Sequence, residues 1–135
     1  MTYKEKLVWL DRYREADKKY QRLSWQLAEA QAAARKTTQN ISAAPGGGGD
    51  GQNLARAVER EEEAERRCYE QLAVCDRLFA EIDAVLNQIA SNRAYCILRQ
   101  HYLNCLTWEK IAEEADLSTR RVYAIRREAV EQLEI

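Results

Sequence analysis

The sequence predicts an all-α protein: a long antiparallel helical hairpin, coiled-coil-like, over residues 1–90, then a C-terminal helix-turn-helix domain over 91–135. Three observations predict it. All five glycines and the only proline fall inside PGGGGDG, Pro45–Gly51, so the flanking stretches lack the two strongest helix breakers. Two of those stretches carry apolar residues at alternating steps of three and four, the seam of a paired helix. From Trp108 onward the pattern is that of two short helices meeting at a tight turn.

In the first arm the seam is Trp9, Tyr13, Ala16, Tyr20, Leu23, Leu27 and Ala30, broadened by Leu7 and Leu10. TTQNISAAPGGGGDGQN then reads as a flexible connector, centred on 41–53, with a reach of about 20 Å. A phosphate-binding loop would need a Gly-Lys-Ser/Thr end and a preceding strand, and the sequence offers neither. The second arm repeats the seam with Cys68, Leu72, Cys75, Phe79, Ile82, Leu86 and Ile89, extended by Leu54 and Val58 and weakened by the acidic EREEEAERR. Each arm is expected to be about 50 Å long.

The charges of the arms are opposite. Residues 1–45 carry nine Lys/Arg against five Asp/Glu, and residues 54–90 carry five against nine, which favours their pairing. Two helices alone leave one side of such wide seams bare. A second hairpin would complete a four-helix bundle, so a homo-oligomer, dimer or higher, is the expected assembly. The alternative is that the seam packs onto the C-terminal domain of its own chain.

Each fixed position of the helix-turn-helix has a physical reason. Ile111 and Ala115 turn one face of the first helix to the core, and Ala112 is small where the second helix crosses. Leu117 fills the turn, Asp116 tolerates the positive φ often taken there by glycine, and Ser118 is an N-cap for the amides of Arg120 or Arg121. Val122 and Ile125 face inward again. Ser118, Thr119, Arg120, Arg121, Tyr123, Ala124, Arg126 and Arg127 are left outward, with four arginines and no acid until Glu128. That edge suits double-stranded DNA. Thr119 and Arg120, at the start of the helix, are the expected base contacts, and Arg121, Arg126 and Arg127 the expected phosphate contacts. The plainer reading is a solvated helix face.

ILRQHYLNCLTWEKIAEEADLSTRRVYAIRREAVEQL, Ile97–Leu133, resembles the region-four helix-turn-helix of bacterial sigma factors. The whole arrangement, with a helical arm, a glycine-rich break and a terminal TWEKIA module, resembles phage-encoded transcriptional regulators of the ArpU and RinA type. That resemblance implies a sequence-specific DNA-binding regulator of phage late genes in the host cytoplasm, reading the major groove with 118–127 on a scaffold of Trp108 and Ile111. Cys105 stands where many relatives carry glycine, so Asn104 is the expected left-handed residue ending the preceding helix. Residues 91–135 balance seven basic against seven acidic side chains, which leaves two rivals open. One is a sigma-like protein-interaction module engaging RNA polymerase or another regulator. The other is a small DNA-packaging protein of the terminase small-subunit kind.

A net charge of -1 excludes a generally basic nucleic-acid coat, so binding must come from where the charge sits. No run of about 18 apolar residues spans a membrane, and the charged start holds no signal-peptide core, which together point to the cytosol. There the four cysteines are expected reduced and buried as small apolar groups. Their spacings, seven between Cys68 and Cys75 and nine between Cys96 and Cys105, do not suit zinc, so no metal or cofactor is expected. His101 reads as a partly exposed helix residue, and Trp9, Trp25 and Tyr13 as seam and interface aromatics. One histidine, with no nucleophile beside it and no paired carboxylates, excludes an enzyme.

Overall fold

A computed structural model describes residues 1–43 and 50–135, and residues 44–49 of the expected connector lie outside them. The protein is all-α. Its elements are α1 (Tyr3–Leu10), α2 (Arg12–Ala43), α3 (Asp50–Leu86), α4 (Asn92–Tyr102), α5 (Trp108–Ala115) and α6 (Thr119–Glu131).

Two expectations about the first arm need correction. Its helix is interrupted at Asp11, after a short α1 opened by a capping box in which Thr2 Oγ1 accepts from Glu5 N and the Glu5 carboxylate accepts from Thr2 N. The connector is also shorter than 41–53, because helix continues to Ala43 and resumes at Asp50. No breaker stands between Arg12 and Ala43. The hydroxyls of Thr37 and Thr38, which could have favoured a turn, instead donate to the carbonyls of Ala33 and Ala34 one turn back.

The chain forms two compact units, Met1–Asp17 with Cys75–Ile135, and Lys18–Val74, so it does not divide at the expected 90/91 boundary. The reason is apolar. In the first unit Leu10, Ile82 and Leu86, from the ends of the two arms, join one core with Leu98, Tyr102, Ile111, Val122 and Val130. That part of the seam packs on the C-terminal helices of its own chain. Tyr13 meets Phe79 edge-on at 5.4 Å, Arg12 pairs with Glu81 at 2.8 Å, and Arg99 pairs with Asp83. The ammonium of Lys6 donates to the carbonyls of Glu131 and Leu133 at 3.0 and 2.8 Å, with Val130 at 3.5 Å. It thus covers the negative end of α6.

The second unit is an antiparallel helix pair. Gln31, Ala34 and Thr38 share a groove with Leu54, Val58 and Glu61, whereas the earlier Tyr20 and Leu27 share one with the later Cys68, Tyr69 and Leu72. Among its described residues the side chains it buries are small or polar: Ala34, Ala57, Cys68 and Gln71. Glu63 and Glu70 pair with Arg66, and Glu63 also with Arg67, all within α3. The arginines hold the Glu63 carboxyl below its ordinary pKa. Among the described residues, no helix is long and apolar enough to cross a membrane.

Candidate nucleic-acid interface

The interface is built from α4 forward. Ser91 caps α4, its hydroxyl accepting from Ala94 N, and the buried face of that helix carries Ala94, Ile97, Leu98, His101 and Tyr102. At its end Leu103 N and Asn104 N both donate back to Arg99 O, so the chain is still helix-like at Asn104. Reversal comes one residue later. Cys105, not Asn104, is the left-handed residue, with φ of 61°, and Leu106 N then donates to Gln100 O.

Thr107 caps α5 by accepting from Lys110 N at 3.2 Å. Ile111 and Ala112 are buried as expected, but Ala115 is exposed. The helix stops there, Leu117 N donates to Ala112 O at 2.9 Å, and the Leu117 side chain packs on the core beside it. Asp116 takes the left-handed conformation, φ 55° and ψ 45°, and Ser118 Oγ accepts from Arg121 N at 3.1 Å. Both turn residues thus play the parts their chemistry suggested.

Val122 and Ile125, followed by Val130, anchor α6 to the core and so fix what it shows outward. Ser118, Thr119, Arg120, Arg121, Ala124 and Arg127 are exposed, and Tyr123 is 38% exposed. Arg121 also lines a pocket with Arg93, from the first turn of α4. Arg127 is restrained rather than free, pairing with Glu131 at 3.0 Å and lying 4.7 Å over the ring of Tyr3.

Arg126 departs from its expected place. It is half-buried, with its guanidinium carbon 5.1 Å from the Trp108 ring centre and 5.0 Å from that of Tyr123. Its Nε is buried with no hydrogen-bond partner among the described residues. Tyr102 lies nearby, and burial pushes its hydroxyl far above the usual tyrosine range despite the positive charge of Arg126. The Arg126 guanidinium is thus held against two rings instead of standing free on the outward edge.

His101 is the second departure. It is buried, stacked on Trp108 at 3.8 Å and 18°, with Nδ1 2.8 Å from Leu106 O. Stacking on an indole removes water from both rings, and a single histidine in a helical pattern gave no sign of it. Cys96 is exposed and Cys105 half-buried, whereas Cys68 and Cys75 are buried. Sequence reasoning missed Lys6, Tyr102 and Arg93. Lys6 reaches carbonyls more than a hundred positions away, which no local pattern encodes. Arg93 carried a weak signal as a basic residue just after a serine cap.

The chain was compared with known proteins: no family model, curated protein or solved structure matches it.

Proposed function

We propose that α5 and α6 form a helix-turn-helix that binds double-stranded DNA in a sequence-specific way, with α6 in the major groove. One observation carries the reading. The first turns of α6 present Thr119, Arg120 and Tyr123 on one exposed face, with Arg121 exposed on its flank, held by the Ser118 cap and by Val122 and Ile125 beneath. A helix set rigidly on its core, with its N-terminal residues outward, can enter a groove that admits one helix. Arg120 and Thr119 are the base contacts. Arg121 and Arg127 are phosphate contacts, Arg127 after giving up Glu131.

Fluorescence anisotropy on a duplex selected from a random pool tests this. Arg120→Ala should cost about 1 to 3 kcal/mol on the selected duplex and flatten preference at one base position. Arg121→Ala should weaken selected and random duplexes alike and lower the slope of log affinity against log salt by roughly one. Equal, salt-independent binding of both duplexes would end the reading in favour of a protein-interaction module that engages RNA polymerase. The wider proposal, a phage transcriptional regulator in the host cytoplasm, rests on the resemblance of 97–133 to sigma region four.

The reading includes assembly through the hairpin. In the second unit Trp25 is 73% exposed, Tyr69 68% and Leu72 38%, large side chains that a second copy would cover. Two copies would also give a symmetric reader for two half-sites. Light scattering should give a dimer or larger, with Tyr69→Lys reducing it to monomer.

A further inference from the structure

We propose that Tyr123 reads the methyl group of a thymine, and that Arg126 is the positioning residue that holds its ring for that contact. This rests on the DNA-binding reading above and adds a named base to it. Tyr123 lies one turn beyond Arg120 on the same helix, so both can address neighbouring base pairs. Its ring is not a free rotor. The Trp108 ring meets it edge-on at 6.1 Å and 67°, and the Arg126 guanidinium lies 5.0 Å from its centre. Arg126 is in turn held by the face of Trp108, and Trp108 by its stack on His101 and its edge-on contact with Tyr102.

This chain of contacts runs from the fully enclosed Tyr102 to the surface and ends on Tyr123, 38% exposed. The consequence is a partly exposed ring held in one orientation, at the centre of an edge otherwise made of arginines and a threonine. In the major groove the thymine methyl is the one apolar feature of the four bases, and every other marker is a hydrogen-bond donor or acceptor. Placing ring carbons against a donor or acceptor would strip it of water without replacing the bond, which is unfavourable. A methyl group loses nothing by that contact. The buried, unpartnered Nε of Arg126 fits the same account, since a guanidinium kept there for stability alone would be expected to have its donors satisfied.

The test uses the full-length protein and the selected duplex, made once with thymidine and once with deoxyuridine throughout, which removes the methyl groups and keeps every hydrogen-bonding atom. Wild type should bind the deoxyuridine duplex about fourfold more weakly, the worth of one buried methyl group. Tyr123→Ala should bind the two duplexes equally. Tyr123→Phe should retain the fourfold preference. Arg126→Met should lose most of the preference while leaving the salt slope unchanged, since on this reading Arg126 meets no phosphate. Arg120→Ala should weaken binding yet keep the thymine preference. If wild type binds both duplexes equally while remaining salt-dependent and sensitive to Arg120, this inference fails and the DNA-binding reading stands. A preference that survives Tyr123→Ala, or an equal loss on both duplexes in Tyr123→Phe, also overturns it, the latter by placing the phenol on phosphate. Absence of any duplex binding overturns both. Thermal melts of each variant separate loss of fold from loss of reading, and the comparison of duplexes on wild type and Tyr123→Phe does not depend on Arg126.

Discussion

The two compact units are built from the same kind of amphipathic helix, yet they bury different things. In the unit of residues 1–17 and 75–135, large side chains such as Leu10, Ile82, Leu98, Tyr102 and Ile111 are almost wholly enclosed. In the unit of residues 18–74 the enclosed side chains among the described residues are Ala34, Ala57, Cys68 and Gln71, and Trp25, Tyr69 and Leu72 stand in solvent. The difference is one of layers. Helices α4, α5 and α6 cross the ends of the arms and close a core from several directions, whereas two parallel-axis helices shield only the line between them. Periodicity alone makes the arms alike, and only the number of helices around each stretch makes them differ.

The largest expected effect follows from that contrast. Leu98→Ala should destabilise the protein by about 2 to 5 kcal/mol, because its site is enclosed on all sides and cannot collapse freely. Leu72→Ala, at a site 38% exposed, should cost below about 1 kcal/mol in a dilute sample. Urea unfolding of the two variants decides it, and equal costs would erase the distinction between the units.

Hydrogen exchange would sharpen the comparison along the chain. Amides of α4–α6 should open only with global unfolding, whereas those of 54–70, in the thinly covered pair, should exchange by local opening. If the hairpin assembles as proposed, protection of 54–70 should rise with protein concentration and that of α4–α6 should not.

Lys6→Met tests how the first unit ties its two chain ends together. Losing the cation from the last carbonyls of α6 should cost about 1 to 2 kcal/mol, read by thermal denaturation, since a half-buried charge at a helix C-terminus lies at the upper end of such effects. The smallest effect is expected at the corner before α5. Cys105 holds φ of 61°, which glycine adopts without the Cβ penalty. Cys105→Gly should raise stability by up to about 1 kcal/mol, less whatever its 3.9 Å contact with Asp17 contributes. A loss of stability would show that this contact outweighs the backbone strain.

Much of the candidate interface was legible because its signals are local. Ser118 as cap, Asp116 as left-handed residue, and Val122 and Ile125 as the inward pair each depend on neighbours within one or two turns. Arg126 was misplaced for the opposite reason. On α6 it lies beside the inward face, and whether such a side chain turns outward depends on Trp108 and Tyr102, which belong to other helices. Four arginines in ten residues look equivalent in a sequence, and packing gives one of them different surroundings.

By itself the sequence determined the helical class, since breakers confined to 45–51 and seams of three-four spacing leave little else for the backbone to form. It also determined the caps and turn of α5 and α6, where side chains bond their own neighbouring amides. Tertiary structure decided that the arm ends join the C-terminal core, that His101 stacks beneath Trp108, and that Arg126 lies over the Tyr123 ring. Those contacts join residues far apart in the chain. Each is set by which surfaces can exclude water together once the helices of that unit are in place, a property that no single stretch carries.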